Sequence, residues 1–154
     1  MAKEEYIRRL AQHLQQQDED RRLQLSEDQR RSKILKVQPV QRWAELKAWI
    51  EEAIKQTNQI TETPRLQFAN KNINEFSILR KIFGVEGSQS IDIRFNPENG
   101  TISSDQTSGA PLMFVPNVQG DGIFFVIAGS RGRSETADEI GEIILRCATG
   151  LTGT

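Results

Sequence analysis

Sulfur and imidazole chemistry have almost no foothold in this chain. It carries one cysteine, Cys147, which excludes an intrachain disulfide framework and a cysteine-rich zinc site. It carries one histidine, His13, so a metal site would have to rely on carboxylates alone, and no EF-hand loop pattern is present. Long hydrophobic runs are missing as well. The longest, residues 123–128, falls far short of the ~20 residues a membrane-spanning helix needs. No apolar stretch near the N-terminus has the form of a secretory signal. Together with the lone cysteine, this leads us to expect a cytoplasmic protein and no membrane partner. Charge of one sign is not in excess either. Residues 1–62 hold 12 basic and 11 acidic side chains, and the whole chain has a net charge of −1. Neither part is a polycation, so an extended phosphate-tracking surface is not expected and nucleic acid is disfavoured as a partner. Apolar residues make up 36% of the chain, below the usual ~45–50%, a benchmark that also counts glycine. The shortage is concentrated near the N-terminus, where residues 15–22 include no apolar side chain.

What remains divides into a helical part and a β part. Residues 1–36 are rich in strong helix formers and read as a polar helical arm. Its apolar positions Tyr6, Ile7, Leu10 and Leu14 make a clean stripe for two turns, which then lapses. A helix polar all round is held by a partner, by charge pairs, or not at all. Sustained heptads for a long coiled coil are absent. Pro39 predicts a break, with a new helix beginning just after it. From 40 to 57, Val40, Trp43, Leu46, Trp49, Ile50, Ala53, Ile54 and Thr57 recur at spacings of three and four. That spacing predicts a helix packed on a sheet, with both tryptophans in the core.

The β part opens after Pro64. Leu66 and Phe68 alternate in a first strand. Residues 73–83 admit two readings, since Asn72 with Glu75 suits a helix cap while Phe76, Ile78 and Ile82 alternate as in a strand; we read a strand. Ile91, Ile93 and Phe95 alternate with Asp92 and Arg94 in a half-buried strand. A turn over 96–100 leads to a returning strand at 101–104. A second polar turn, 106–110, precedes a strand at 112–118 that contains Pro116 and so suggests an edge or a bulge. Residues 123–128 are apolar on both faces and read as a central, doubly covered strand. A final helix starts at Ser134 or Thr136, with Thr136 and Glu139 at capping-box spacing and Gly150 marking its end. The expected architecture is α+β: a helical arm (1–36) and a single domain (37–154). That domain has a helix, an antiparallel sheet of five or six strands and a C-terminal helix packed on the sheet.

Candidate chemistry is sparse. His13 lies in the arm, away from any core that could orient it as a catalytic base. Cys147 falls on the apolar stripe of the last helix, where burial would raise its thiol pKa. The paired arginines of the arm alternate with acids, which favours helix charge pairing over nucleic acid. The most suggestive segment is the loop holding Ser130, Arg131, Arg133 and Ser134. It precedes a helix N-terminus and offers cations and hydroxyls to an anion, although it matches no phosphate-loop or dinucleotide spacing. Catalysis by acids would need Asp92, Asp105 or Asp121 to converge, and their spacing does not suggest it. We therefore expect no enzyme activity, no cofactor and no metal. The expected function is a non-catalytic interaction or regulatory domain, whose stripe of Tyr6, Ile7, Leu10 and Leu14 docks on a protein partner or a second copy. The alternative is a small-ligand-binding domain with a pocket between helix 40–57 and the sheet.

Overall fold

The computed structural model describes residues 2–62, 64–106 and 109–151, so the turn expected over 106–110 lies partly outside the described residues. The fold is α+β. A long helix, α1 (Lys3–Thr61), is followed by seven strands and a closing helix, α2 (Ala137–Thr149). The strands are β1 (Leu66–Asn72), β2 (Glu75–Lys81), β3 (Ser88–Asn96), β4 (Thr101–Ser104), β5 (Leu112–Gln119), β6 (Gly122–Ile127) and β7 (Arg133–Ser134). They form one antiparallel sheet in which spatial order equals chain order. Seven strands replace the expected five or six. The extra one is β7, whose two residues are too few for any alternation to show in the sequence. The chain divides into two compact units, one ending at Lys33 and one beginning at Ile34.

The first unit is helix alone. Apart from the half-buried Arg30, every described residue in it is exposed. Local pairs along the helix support it: Arg9 with Glu5, and Arg30 and Arg31 with Glu27. Hydrogen bonds donated by the side-chain amides of Gln16 to Asp20 and of Gln24 to Asp28 add to them. Such pairs each contribute about 0.2–0.5 kcal/mol.

The second unit begins inside α1, and here the helix runs through Pro39 instead of breaking. Proline deprives the Leu35 carbonyl of its donor and crowds the preceding turn, at a cost of ~3 kcal/mol. Compensation comes from packing. Pro39 is fully buried. A Cβ built on Gly100, in the β3–β4 turn, would lie 2.9 Å from both Cβ and Cγ of Pro39 and 3.2 Å from Cγ of Pro116. Gly100 also has a φ of +74°, which a side chain would resist. The proline ring is thus seated on the turn at the one place where no side chain intervenes. Gln38 adds a bond from its Nε2 to the Asp121 carbonyl at 2.5 Å. No glycine precedes Gly84, so the backbone near Pro39 has no residue that leaves the helix cheaply.

Beyond Pro39, α1 buries Trp43, Leu46, Ile50 and Ile54. Val40, expected in this stripe, is exposed. The strands answer with Phe76 and Ile78 on β2, Ile91, Ile93 and Phe95 on β3, Phe114 on β5 and Phe125 on β6, and α2 with Ile140 and Ile144. All belong to one core, so both helices cover the same sheet face. Burying each large apolar side chain contributes about 1.5–3 kcal/mol. Trp43 stacks on Phe95 with ring centroids 5.6 Å apart, and its Nε1 donates to the Ile73 carbonyl at 2.7 Å. Residues 75–81 are indeed a strand, in register with β3 through Phe76 opposite Ile93 and Ile78 opposite Ile91.

Two strands differ from expectation. Pro116 sits on β5, an interior strand, but β4 pairs with β5 only as far as Phe114, so the missing N–H falls beyond the end of the β4 ladder. β6 lies next to the short edge strand β7, not at the centre. Its second face, with Phe124 and Val126, is half-buried.

Helix α2 is closed as the sequence predicts. Thr136 Oγ1 accepts from the Glu139 N–H at 3.3 Å, and Gly150 takes the left-handed conformation with its N–H on the Arg146 carbonyl.

Candidate functional site

Among the residues singled out from the sequence, the arm stripe is fully displayed. Tyr6, Ile7, Leu10 and Leu14 are 59%, 51%, 44% and 51% exposed on one side of the helix. Nothing within the arm covers them, because a single helix has no second layer to bury a stripe against. His13 sits beside them with its Nε2 3.2 Å from Gln17 Nε2.

The loop before α2 does not converge on one point. Ser130 Oγ accepts the Gly132 N–H at 3.1 Å, and Arg131 is exposed. Arg133 lies in β7, where its guanidinium bonds both Gln119 Oε1 and Glu135 Oε1 at 2.6 Å. It also sits 4.1 Å above the Phe124 ring centroid. Ser134 is buried opposite Phe125. The helix terminus is already served by Thr136, while Glu139 Oε2 accepts the Glu135 N–H at 3.0 Å. An anion arriving here would compete with Glu135 for Arg133 and with Glu139 for the backbone donors.

The sheet face turned away from the helices holds a cluster that the sequence does not announce. The β2–β3 register sets Glu75 opposite Arg94 and Ser77 opposite Asp92. Asp92 accepts from the Ser77 hydroxyl, from Lys71 Nζ at 3.0 Å and from Arg94 at 3.1 Å. Arg94 also reaches Glu75 at 3.3 Å and Asp105 at 3.5 Å. The Ser77 hydroxyl and then Lys71 hold the Asp92 carboxyl below its ordinary range, and the same bond raises Lys71. Asp92 and Asp105 therefore do converge, with the Asp92 N–H on Asp105 Oδ2 at 3.2 Å, while Asp121 lies elsewhere, near Gln38. A carboxylate so fully engaged is a weak proton acceptor, and its lone pairs face donors of the protein. The alternation in β2 and β3 marks these side chains as one polar face. Only the register shows which of them meet.

A cleft of about 470 Å³ lies between the C-terminal end of α1 and the β1 edge. Ile54, Leu66, Phe68 and Leu79 supply apolar walls, and Lys55, Arg65 and Lys81 supply cations. Asn58 fastens one wall: its Nδ2 donates to the Leu66 carbonyl at 2.8 Å, and its Oδ1 accepts the N–H groups of Arg65 and Leu66 at 3.2 and 3.3 Å. Cys147, half-buried on α2, has its thiol pushed up by desolvation. Among the described residues no group of three or more His, Cys, Asp or Glu side chains is placed to hold a metal, and no helix is long and apolar enough to cross a membrane.

No family model, curated protein or solved structure matches the chain.

Proposed function

We propose that this is a non-catalytic interaction protein whose N-terminal helix is its assembly surface, docking on a protein partner or a second copy. One observation carries the reading. Four large apolar side chains, Tyr6, Ile7, Leu10 and Leu14, share one side of a helix and are 44–59% exposed, in a unit with no core of its own. Scattered apolar residues need no explanation, but a stripe at helical spacing is the form a helix uses to pack on another surface. The engaged state of the Asp92 cluster favours a structural role for it over a catalytic one. The test is native mass spectrometry of the full-length protein beside a Leu10→Asp/Leu14→Asp variant. The stripe variant should lose the assembly that the parent shows while tryptophan fluorescence stays unchanged. Equal assembly in both would remove the stripe from the function.

A second reading, a small-ligand site, is favoured by the cleft beside Ile54 and Asn58, where apolar walls and three cations against one carboxylate, Glu51, suit an amphipathic anion. Fatty-acid binding followed by tryptophan fluorescence would test it, with Lys55→Ala expected to weaken binding.

A further inference from the structure

We propose that the arm pairs antiparallel with the arm of a second copy of this chain, in a register centred between Gln24 and Leu25; the proposal rests on the reading of the arm as an assembly surface. The middle of the arm is built from blocks of alternating sign. Asp18, Glu19 and Asp20 are acidic, Arg21 and Arg22 basic, Glu27 and Asp28 acidic, Arg30 and Arg31 basic. Turned end for end about a two-fold axis between Gln24 and Leu25, every block meets its opposite: Arg21 is level with Asp28, Arg22 with Glu27, Asp18 with Arg31 and Glu19 with Arg30. Parallel, in-register pairing would set each block against its own sign. A two-fold interface is self-complementary, so each pair occurs twice.

Helical spacing selects the contacts at the seam. Leu14, Arg21 and Asp28 follow one another at seven-residue steps, two turns apart on the same side of the helix. Between the two Arg21–Asp28 levels the seam holds Gln24 and Leu25, and Leu25 is 56% exposed. The same symmetry sets Leu14 level with a leucine of the second copy, at position 35. The seam thus sets ionic levels on either side of a central Gln24–Leu25 level, with no like charges facing each other at these positions. Part of this charge is already paired along the helix and part is not. Glu27 is shared by Arg30 and Arg31, whereas Asp18, Glu19, Arg21 and Arg22 form no ion pair among the described residues, and Asp28 accepts only the Gln24 amide, at 3.0 Å. Mixed-sign blocks arranged this way fix orientation and register more than they add affinity.

The experiment uses the full-length chain in three forms, wild type, Arg21→Asp and Asp28→Arg, followed by sedimentation velocity and native mass spectrometry. Wild type should dimerise. Each single reversal puts like charges at two symmetric positions and should weaken self-association about tenfold. Mixing the two variants restores opposite charges at both positions, so a heterodimer at least as tight as the wild-type dimer should form. Residues 21 and 28 are about 10 Å apart along one helix, so rescue by mixing cannot arise within a single chain. A wild-type monomer at the highest concentration reached would overturn self-pairing. Single reversals that dimerise normally, or a mixture that yields no heterodimer, would overturn the register. A failed register with the dimer intact leaves the broader reading to the Leu10 and Leu14 variant, whereas a wild-type monomer leaves that reading only docking on a different protein partner.

Discussion

Gly141 makes the sharpest test of how α2 meets α1. In an exposed helix interior, replacing glycine by alanine stabilises by about 1 kcal/mol, because the unfolded chain loses freedom and the helix gains a good former. At Gly141 a Cβ would lie 2.2 Å from Cε3 and 2.4 Å from Cζ3 of Trp49. Carbon atoms pack at about 3.5–4.0 Å, so at least ~1.3 Å of displacement is required. The atoms in the way belong to a rigid ring, and the next residue, Ile50, is fully buried, so neither the indole nor its helix yields cheaply. Overpacking of this kind costs about 1–3 kcal/mol. Gly141→Ala should therefore destabilise the fold by about 1–2 kcal/mol despite its better helix propensity. Trp49→Ala opens the space, and in that background Gly141→Ala should turn stabilising, by up to about 1 kcal/mol. Urea unfolding followed by far-ultraviolet circular dichroism, with tryptophan fluorescence as a second probe, on all four members of the cycle, gives the coupling. A stabilising Gly141→Ala in the parent, or the same effect in both backgrounds, would refute the claim that the Trp49 ring occupies the glycine's side-chain space.

Gly100→Ala should cost about 2 kcal/mol or more, combining a left-handed φ with contact against Pro39, and equilibrium denaturation measures it. Ser77→Ala should change how stability depends on pH. The Asp92 carboxyl is depressed in the folded state, so its contribution is full above the ordinary carboxylate range, near pH 4, and is lost as pH falls through the lower folded value. Removing the hydroxyl brings the folded value back toward normal. Stability curves of parent and variant should then differ most at neutral pH and converge in acid; a gap that widens on acidification would reverse the sign of the argument. Cys147 should react with a disulfide reagent at pH 7 more slowly than a free peptide thiol, since desolvation raises its pKa, and equal rates would show that the thiol is open to water.

The parts of the fold legible in the sequence are those where one periodicity acts alone. Trp43, Leu46, Ile50 and Ile54 announce a packed helix because each is separated from the next by three or four residues, and Ile91, Ile93 and Phe95 announce a strand because each alternates with a polar neighbour. Thr136, Glu139 and Gly150 mark the ends of α2 because capping is local chemistry. Pro39 misleads for the opposite reason. Its local preference is to end a helix, and what overrides that preference is contact with Gly100 and Pro116, far away in the chain. β6 misleads because an apolar run records that both faces avoid water, not which neighbours provide the shelter. Phe124 lies under the Arg133 guanidinium rather than under a second layer.

The two charged regions show the same division between pattern and register. On the sheet, alternation marks Glu75, Ser77, Asp92 and Arg94 as polar-face residues, but whether Asp92 meets Ser77 or a like charge depends on pairing, which a slip of one residue would invert. Only the folded register turns those side chains into a closed network in which Asp92 accepts three donors. In the arm the spacing is set by the helix itself, so the alternation of acidic and basic blocks is already a geometric statement, with Arg21 and Asp28 on one side two turns apart. A network satisfied within the chain has little left to offer a ligand. A helix whose charges at 18, 19, 21 and 22 find no ion-pair partner among the described residues, beside a stripe of exposed apolar side chains, still has both its charge and its apolar surface to place. That contrast is the physical reason for proposing the arm rather than the sheet as the interaction surface.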